Sequence, residues 1–312
     1  MDLEVLRRAA ELLRQGEVVA LPTETVYGLA ANALDPEAVA RIYELKGRPT
    51  FNPIIVHVSS IEMARSCVRE WPQLAQKLAD AFWPGPLTLV LPRSDEIPDI
   101  VTAGGPTVGV RWPRHPLMQE VIRLCGFPLA APSANRSTEV SPTTAEHVRK
   151  TFGNLIPLIV DGGQSQVGIE STVLDLSAHP PRILRFGMIH AESIVAATGE
   201  LAIDGPETEH LKSPGLLSKH YSPKAEVIIR EWQNEAEMES QPDDVRIIAY
   251  SKIPRRANVT VMPHDPEAYA RALYAELHRA DENRAQLIIV EEVPEGPEWE
   301  GIRDRLRRAS EK

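Results

Sequence analysis

Short apolar segments are mixed with amphipathic helical segments along residues 1–186, and this pattern limits the fold to helices packed on a β-sheet. Helices are predicted at residues 3–15, closed by Gly16, and from Pro36 to about residue 46, after the N-cap Asp35. Because strands and helices do not alternate regularly, we expect a twisted mixed sheet flanked by helices. The predicted strands cover residues 18–21, 54–58, 87–91, 108–111, 129–131, 158–160, 172–176 and 182–184.

The pattern changes between residues 187 and 224, where loop-forming residues replace the apolar runs. Only one helix, near residues 192–198, is predicted there. Since 312 residues exceed one ordinary domain, we expect two. The predicted organisation is a first domain at 1–190, a linker at 191–224 and a smaller Rossmann-like α/β domain at 225–312. Its predicted strands are 227–229, 245–249 and 287–290, and its predicted helices are 266–280 and 299–308.

Charge and cysteine content exclude several classes of protein. The net charge is −10, and residues 1–186 carry 18 Lys and Arg against 20 Asp and Glu, so most of the acidic surplus lies after residue 186. This balance disfavours a broad nucleic-acid-coating surface. Cys67 and Cys125 have no metal-ligand spacing, which excludes a disulfide framework and a cysteine zinc site and fits a reducing cytoplasm. No signal peptide and no run of about 18 apolar residues is present, so we expect no transmembrane helix.

Polar residues collect in loops, and at least five of these loops lie at the ends of predicted strands. The phosphate-binding sequences GxxxxGK[ST] and GxGxxG are absent, and no Ser-His-Asp order or paired-carboxylate spacing stands out. Ligands of open α/β sheets bind at such strand ends. The hydroxyls and cations therefore favour a site for a phosphorylated ligand and a small polar co-substrate, with catalysis by positioning and electrostatics. The loops cover residues 22–29, 46–53, 107–113, 131–137, 141–144, 161–163, 168–173 and 182–187.

Each cationic group also has a simpler structural interpretation, and the sequence leaves both open. Lys46 and Arg48 either close on phosphate oxygens or place charge at a helix C-terminus. His57 either faces a ligand or is a core histidine. Arg111, at a strand end, binds a carboxylate ligand or forms an internal ion pair, because a buried arginine is costly without a partner.

The hydroxyl-rich and glycine-rich loops carry the same ambiguity. Ser141 or Thr143 either contacts phosphate or ribose or caps the helix through residues 146–150. Residues 22–29 form either a ligand loop or a polar turn. Gly162-Gly163 indicates either close approach of the backbone to a ligand or a hairpin connection.

Several of these motifs, in this order, resemble those of the YrdC-like family, the threonylcarbamoyl-AMP synthases. The resemblance over about residues 5–190 rests on residues 22–29, Lys46-Gly47-Arg48, Ser133-Ala134-Asn135, Ser141-Pro142-Thr143 and Gly168-Ile169-Glu170-Ser171-Thr172-Val173. It extends to the long, two-domain form through Ser213-Pro214-Gly215 and His220-Tyr221-Ser222-Pro223. By resemblance, residues 1–190 are the YrdC-like catalytic domain, and the linker closes over the site.

The resemblance implies a cytoplasmic nucleotidyltransferase. Members of this family condense L-threonine, bicarbonate and ATP into L-threonylcarbamoyladenylate and release pyrophosphate. ATP is then a co-substrate that enters with Mg²⁺, and no protein residue is assigned as a metal ligand. A separate tRNA threonylcarbamoyl transferase complex uses the product to form N6-threonylcarbamoyladenosine at tRNA position 37. The resemblance leaves open whether this chain binds tRNA directly.

The resemblance also implies roles for individual residues. Lys46 and Arg48 are the expected catalytic residues, because they would neutralise charge on the phosphates. The expected ATP-binding residues are Arg48, Asn52, Thr107, Ser133, Ser141, Arg185 and Tyr221. The expected L-threonine pocket consists of Thr25, His57, Arg111, Ala131 and Ser171, with Arg111 on the carboxylate. Two positions depart from the family's usual motifs: Phe186 replaces a proline, and Thr138 replaces a glycine.

Two other functions fit some of the same features. The fold is also associated with an RNA-binding module, but the acidic balance disfavours strong RNA binding. Related domains occur in carbamoyltransferases that form carbamoyl-adenylate from carbamoyl phosphate. Those enzymes carry additional domains with characteristic cysteines or motifs, which this sequence lacks.

Overall fold

A computed structural model describes residues 2–201, 221–242 and 244–311 of the chain. These residues form two units, each built around its own β-sheet. Within the described ranges, no helix combines the length and the apolar character needed to cross a membrane.

The first unit is built on an eight-stranded mixed sheet with the order β1-β2-β6-β3-β5-β4-β7-β8. β3 pairs in parallel with β5 and β4 with β7, and the other neighbouring strands are antiparallel. The mixed sheet predicted from the sequence is therefore confirmed. The strands are β1 (Val19–Leu21), β2 (Gly28–Asn32), β3 (Val56–His57), β4 (Leu87–Pro92), β5 (Thr107–Arg111), β6 (Leu129–Ala130), β7 (Thr172–Asp175) and β8 (Arg182–Arg185).

The helices of the first unit flank this sheet, and several begin at a side chain that caps them. Asp2, Asp35, Ser60 and Thr144 each accept hydrogen bonds from backbone N–H groups of the first helical turn. The helices are α1 (Leu3–Arg14), α2 (Pro36–Lys46), α3 (Ile61–Ser66), α4 (Gln73–Phe82), α5 (Asp99–Thr102), α6 (Pro116–Cys125), α7 (Ala145–Phe152) and α8 (Ala191–Thr198), and a 3₁₀ turn covers Gly153–Leu155.

The cap of α7 differs from the expectation. Thr144 caps the helix, by accepting from the backbone N–H of His147, so the capping role considered for Ser141 and Thr143 is wrong. The hydroxyl of Ser141 donates instead to the carboxylate of Glu170. It is therefore committed to another part of the structure.

Two strand predictions also need correction. β2 forms in a segment that the sequence indicated only as a polar loop, because alanine and glycine have weak strand preference and β2 depends on its neighbours β1 and β6. The predicted strand at 158–160 makes only an isolated bridge, between Ile159 and Ala20. Pro157 precedes it and has no N–H to donate to a ladder.

The second unit contains a four-stranded sheet in which all pairs are parallel, with the order β11-β10-β12-β9. This arrangement confirms the predicted smaller α/β fold, although the edge strand β11 was not predicted. The elements are β9 (Glu226–Arg230), α9 (Ala236–Glu239), β10 (Val245–Ala249), β11 (Val259–Val261), α10 (Pro266–Glu282), β12 (Leu287–Glu291), a 3₁₀ turn at Pro297–Trp299, and α11 (Glu300–Ser310).

The two units share a hydrophobic core. Val26, Val140 and Ile169 of the first unit are buried in one cluster with Tyr221 and with residues of α10 and α11. At Gly168 the loop before β7 approaches α10 so closely that an added Cβ would lie 2.4 Å from the Cα of Arg271. α10 of the second unit therefore packs directly against this loop.

The boundaries of the predicted linker stay a prediction. The helix expected within it is present as α8, whose Ile194 packs into the core of the first unit. Ser213-Pro214-Gly215 and His220 lie outside the described residues. Tyr221 is described, and its side chain is buried.

Candidate active site

A cavity opens among the strand-end loops of the first unit. Nine of the thirteen residues predicted for the site line it, although they come from loops spread over nearly 200 residues of sequence. They are Thr25, Arg48, His57, Arg111, Ala131, Ser133, Ser171, Arg185 and Tyr221. All five residues predicted to hold L-threonine are in this set.

Arg111 reaches the cavity from the end of β5, and it forms the internal ion pair that was one of its two interpretations. Its Nη2 lies 2.7 Å from Oε1 of Glu24, and its Nη1 donates to Oγ1 of Thr25 at 2.9 Å. Burial alone would raise the pKa of Glu24, but the charge of Arg111 lowers it. The second carboxylate oxygen of Glu24, Oε2, is buried and has no hydrogen-bond partner.

Arg185 ends β8 and is hydrogen-bonded to Ser171. Its Nε donates to the backbone oxygen of Ser171 at 3.0 Å, and its Nη2 donates to the hydroxyl at 3.0 Å. The same hydroxyl lies 2.8 Å from Oγ1 of Thr88. These contacts fix the Ser171 side chain at the cavity wall, and burial lowers the pKa of Arg185.

Arg48 is held by the loop that follows it. Its Nε donates to the backbone oxygen of Asn52 at 3.0 Å and its Nη2 to that of Pro53 at 2.7 Å. Burial lowers the pKa of Arg48 to about 10. The side-chain amide of Asn52 is fully buried, and neither its oxygen nor its nitrogen has a partner. Such a group is unusual in a folded protein, but Asn52 is not among the residues that line the cavity.

Lys46 is the last residue of α2, but its ammonium does not lie free at a helix end. Nζ donates to the backbone oxygens of Ser133 and Asn135, at 2.6 and 2.5 Å. Burial, and then the nearby charge of Arg48, lower the pKa of Lys46 well below its usual value. The structure therefore places Lys46 behind the loop that carries Ser133, and Lys46 is not among the residues that line the cavity.

His57 lines the cavity as a neutral ring. Burial and the positive charge of Arg111 lower its pKa to about 3. Its Nδ1 is buried and has no partner in the described structure. The two interpretations of this residue are thus compatible, because a buried histidine forms part of the cavity wall.

Thr107 and Ser141 do not line this cavity. Thr107 begins β5 and Arg111 ends it, so the two residues are separated by four strand steps, or about 13 Å. Thr107 lines a neighbouring cavity with Thr88 and Pro53. The Oγ of Ser141 donates to Oε1 of Glu170 at 2.6 Å, behind the wall. Their roles in ATP binding stay predictions.

Glu170 is a cavity residue to which the sequence analysis gave no role. Burial alone would raise its pKa, but Arg305 and Arg185 lower it to about 2. Its Oε2 accepts hydrogen bonds from the hydroxyl of Tyr274 and from Nε of Arg305. A signal for Arg305 existed in the sequence, since it falls on the buried face of α11 that also includes Ile302.

Tyr221 lines the cavity and has an uncommon backbone conformation. Its φ is 62°, in the left-handed region, and its ring is buried. The next residue, Ser222, donates its backbone N–H to the oxygen of Thr138 at 2.9 Å. Thr138 itself has a φ of 72°, which explains why glycine is usual at this position of the family motif.

In the part of the chain that the structure describes, no group of three or more histidine, cysteine, aspartate or glutamate side chains could hold a metal ion. The positive charge of the cavity comes instead from three arginines: Arg48, Arg111 and Arg185. Planar guanidinium groups bind carboxylate and phosphate oxygens through paired hydrogen bonds. The cavity is therefore suited to a ligand set with several anionic groups.

Comparison with known proteins agrees with this geometry. The model of the Sua5/YciO/YrdC family, described as telomere recombination, matches residues 11–187. A second family model, described as the C-terminal domain of threonylcarbamoyl-AMP synthase, matches residues 189–311. The chain belongs to the Sua5/YciO/YrdC family.

Relatives match this chain over nearly its whole length. It is 41% identical to the threonylcarbamoyl-AMP synthase of Pyrococcus abyssi, covering 98% of this chain and 94% of the relative. It is 40% identical to that of Bacillus subtilis, covering 98% and 92%. The crystal structure of Pyrococcus abyssi Sua5 complexed with L-threonine matches with a TM-score of 0.91 and 41% identity, over 98% of this chain and 94% of that one.

These comparisons confirm the predicted family, its long form with a C-terminal domain, and the predicted activity class. Threonylcarbamoyl-AMP synthases are transferases of tRNA modification that use ATP as a substrate. The comparisons assign no role to any individual residue.

Proposed function

We propose that this protein synthesises L-threonylcarbamoyladenylate from L-threonine, bicarbonate and ATP in the cytoplasm and releases pyrophosphate. The observation that carries the proposal is the single cavity in which three arginines and several hydroxyls meet. Similarity to threonylcarbamoyl-AMP synthases over 98% of the chain supports the same activity.

Threonine is proposed to bind on the side of the cavity formed by Arg111. The guanidinium of Arg111 donates hydrogen bonds to the threonine carboxylate as a second anionic partner beside Glu24, to which it is already paired. The hydroxyls of Thr25 and Ser171 hold the polar groups of threonine, and their orientation is fixed by hydrogen bonds to Arg111 and Arg185. The neutral ring of His57 and the methyl group of Ala131 complete the pocket.

ATP is proposed to occupy the side that carries Arg48 and Arg185. Both are buried cations at the cavity wall, suited to phosphate oxygens. Ser133 and the unpartnered amide of Asn52 provide hydrogen bonds, and Tyr221 covers the nucleotide. Thr107 and Ser141 are included by resemblance, and they lie beside or behind the wall.

Lys46 is proposed to act through its loop. Because its Nζ holds the backbone oxygens of Ser133 and Asn135, it keeps that loop in place and adds positive charge near the phosphates. Mg²⁺ is proposed to enter as the complex with ATP, held by the phosphates, as is common for this ion.

The reaction needs no protein nucleophile. The amine nitrogen of threonine forms a bond to the carbon of CO₂ derived from bicarbonate and loses a proton, which gives a carbamate. A carbamate oxygen then attacks the α-phosphorus of ATP, and the bond to pyrophosphate breaks. The arginines lower the barrier by stabilising the charge on the transferring phosphate. The adenylate is consumed by a separate complex that modifies adenosine 37 of tRNA.

The test measures pyrophosphate release with all three substrates and with each omitted in turn. We expect release only when ATP, threonine and bicarbonate are all present. Release that does not depend on threonine would contradict the proposal. Replacement of threonine and bicarbonate by carbamoyl phosphate tests for a carbamoyltransferase, in which case release would persist.

A binding experiment separates the synthase from an RNA-binding module. The synthase is expected to bind tRNA weakly, with a shallow dependence of affinity on salt. Tight tRNA binding without ATP, with a salt dependence that indicates many phosphate contacts, would favour the RNA-binding module instead.

A further inference from the structure

The carboxylate of Glu170 is held from two directions at the cavity wall. From the first unit, Ser141 donates its Oγ to Oε1 at 2.6 Å. From the second unit, Tyr274 of α10 donates its hydroxyl to Oε2 at 2.9 Å, and Arg305 of α11 donates its Nε at 2.7 Å. Two of the three side chains that orient Glu170 thus come from the second unit.

The same two residues also contact Tyr221. The guanidinium of Arg305 lies 5.0 Å from the centroid of the Tyr221 ring, within cation–π distance. The ring of Tyr274 stacks on that of Tyr221 with 5.9 Å between centroids and 29° between planes. The second unit is therefore connected through Arg305 and Tyr274 both to Glu170 in the cavity wall and to Tyr221.

Arg305 is fully buried, which is costly for a guanidinium unless its charge is compensated. Its acidic partners are Glu170 at 2.7 Å and Asp304 at 2.7 Å. The adjacent backbone packing is equally close, since a Cβ at Gly301 of the same helix would lie 2.9 Å from the backbone oxygen of Gly187. The position of Arg305 is therefore set by the contact between the two units.

We propose that Arg305 and Tyr274 are positioning residues of the active site, by which the second unit holds Glu170 against Ser141 and Tyr221 over the cavity. This inference rests on the proposed synthase function. Without Arg305, the ionised carboxylate of Glu170 would face the ATP phosphates with less compensating charge, and Tyr221 would lose the cation beside its ring. ATP binding should weaken more than threonine binding, because Arg111 contacts Glu24 and Thr25 instead.

The principal test is the variant Arg305→Met, which keeps a long apolar side chain but removes the charge. We expect the KM for ATP to rise by about 10- to 100-fold, the usual cost of removing a partner behind a binding group. The KM for threonine should change little. The matched control is Arg307→Met on the same helix, since Arg307 is exposed and pairs with Asp304 and Glu311 but not with Glu170. Circular dichroism and thermal unfolding establish that each variant is folded.

Two further variants separate positioning from general stability. Tyr274→Phe removes only the hydroxyl that donates to Glu170, and we expect a smaller rise in the KM for ATP. Combining Arg305→Met with Glu170→Gln removes both buried charges, and the KM for ATP should partly recover relative to Arg305→Met alone. A role in stability alone predicts no such recovery.

The inference is overturned if Arg305→Met is folded and keeps the wild-type KM for ATP. It is also overturned if the KM values for both substrates change together, or if Arg307→Met has the same effect. If the wild-type protein forms no adenylate, the proposed function fails. Direct titration of ATP into wild type and Arg305→Met then still decides whether Arg305 supports nucleotide binding.

Discussion

At the scale of residues, the cavity is made by side chains whose polar groups are already occupied by neighbouring protein atoms. Arg111, Arg185 and Arg48 each hold a carboxylate, a hydroxyl or a backbone oxygen at a short distance. These contacts fix the orientation of the guanidinium groups before a ligand binds, which lowers the entropic cost of binding. Nδ1 of His57, a residue of the cavity wall, is left without a partner, and so is the amide of Asn52, which does not line the cavity.

Arg111 is the most direct test of the threonine pocket. Arg111→Lys keeps the charge but loses the planar fork, so we expect the KM for threonine to rise about 10- to 100-fold, since a hydrogen bond to a charged group contributes about 1.5–3 kcal/mol. The KM for ATP should change much less. Steady-state kinetics with each substrate varied measures both. An equal effect on the two KM values would contradict the assignment of Arg111 to threonine, and the exposed pair variant Arg123→Lys is a suitable control.

The sequence patterns predicted which residues line the cavity, but they did not predict the contacts that those residues make. Nine predicted residues line one cavity, and several of them, such as His57, Arg111 and Arg185, are the last residues of their strands. Sequence patterns indicated no role for Glu170, Tyr274 and Arg305, because these residues meet through a contact between segments about 100 or more residues apart. The conformation of Thr138 also depends on its pairing with Ser222.

At the scale of elements, two helices of different units meet at a pair of histidines. His147 of α7 and His278 of α10 stack with 3.9 Å between ring centroids. Nδ1 of His147 accepts from the backbone N–H of Thr143, and Nε2 of His278 lies 3.1 Å from the backbone oxygen of Ser141. The contact thus touches the segment that leads from the cavity to α7.

This contact makes the stability of the protein depend on pH. Burial lowers the pKa of both histidines, and that of His147 to about 3, although Lys150 and Glu282 also lie nearby. Since an unfolded histidine takes up a proton below about pH 6.5 and the folded one does not, stability is full above that pH and falls as the pH decreases towards 3. The slope is at most about 1.4 kcal/mol per pH unit for each histidine.

Urea unfolding between pH 8 and pH 4.5 measures this dependence. The double variant His147→Gln and His278→Gln should show a weaker loss of stability below pH 6.5 than wild type. An unchanged pH dependence in the double variant would assign the loss to other groups.

Element predictions succeeded where local patterns are strong. α2 and α10 each begin with an Asp-Pro pair and have a periodic apolar face, and the structure confirms both predicted helices. β2 and β11 were missed, because strands this short depend on pairing with neighbouring strands more than on their own residue types. The segment 158–160 shows the opposite error, because it was predicted as a strand but forms only an isolated bridge. An apolar run does not pair along its length without a suitable partner.

At the scale of the whole molecule, the second unit packs against the segment of the first unit that carries Gly168 and Glu170. Gly168 lies at this contact. It has a φ of 87°, and the backbone of α10 packs directly against it. The residues of the second unit that contact Glu170 at the cavity wall are Tyr274 and Arg305, and neither of them is acidic. A near-neutral first unit thus keeps a cationic cavity within an acidic protein.

Gly168→Ala tests this contact. The added Cβ would overlap Arg271 and the carbonyl of Ala270, so we expect a loss of about 1–3 kcal/mol in the free energy of unfolding and weaker ATP binding. Gly199→Ala is the matched control, because Gly199 has a φ of 84° but nothing within 4 Å of the added Cβ. It shares the backbone strain without the overlap. Equal destabilisation of the two variants in urea unfolding would show that the contact between the units does not matter.

The most direct test of the account follows the carbon of labelled bicarbonate in the wild-type protein. With ATP and threonine present, the adenylate formed should carry both the label and threonine, with one pyrophosphate released for each adenylate. Omission of threonine should abolish the labelled adenylate. An adenylate that lacks the bicarbonate carbon, or one that forms without threonine, would contradict the proposal that the cavity joins these three substrates.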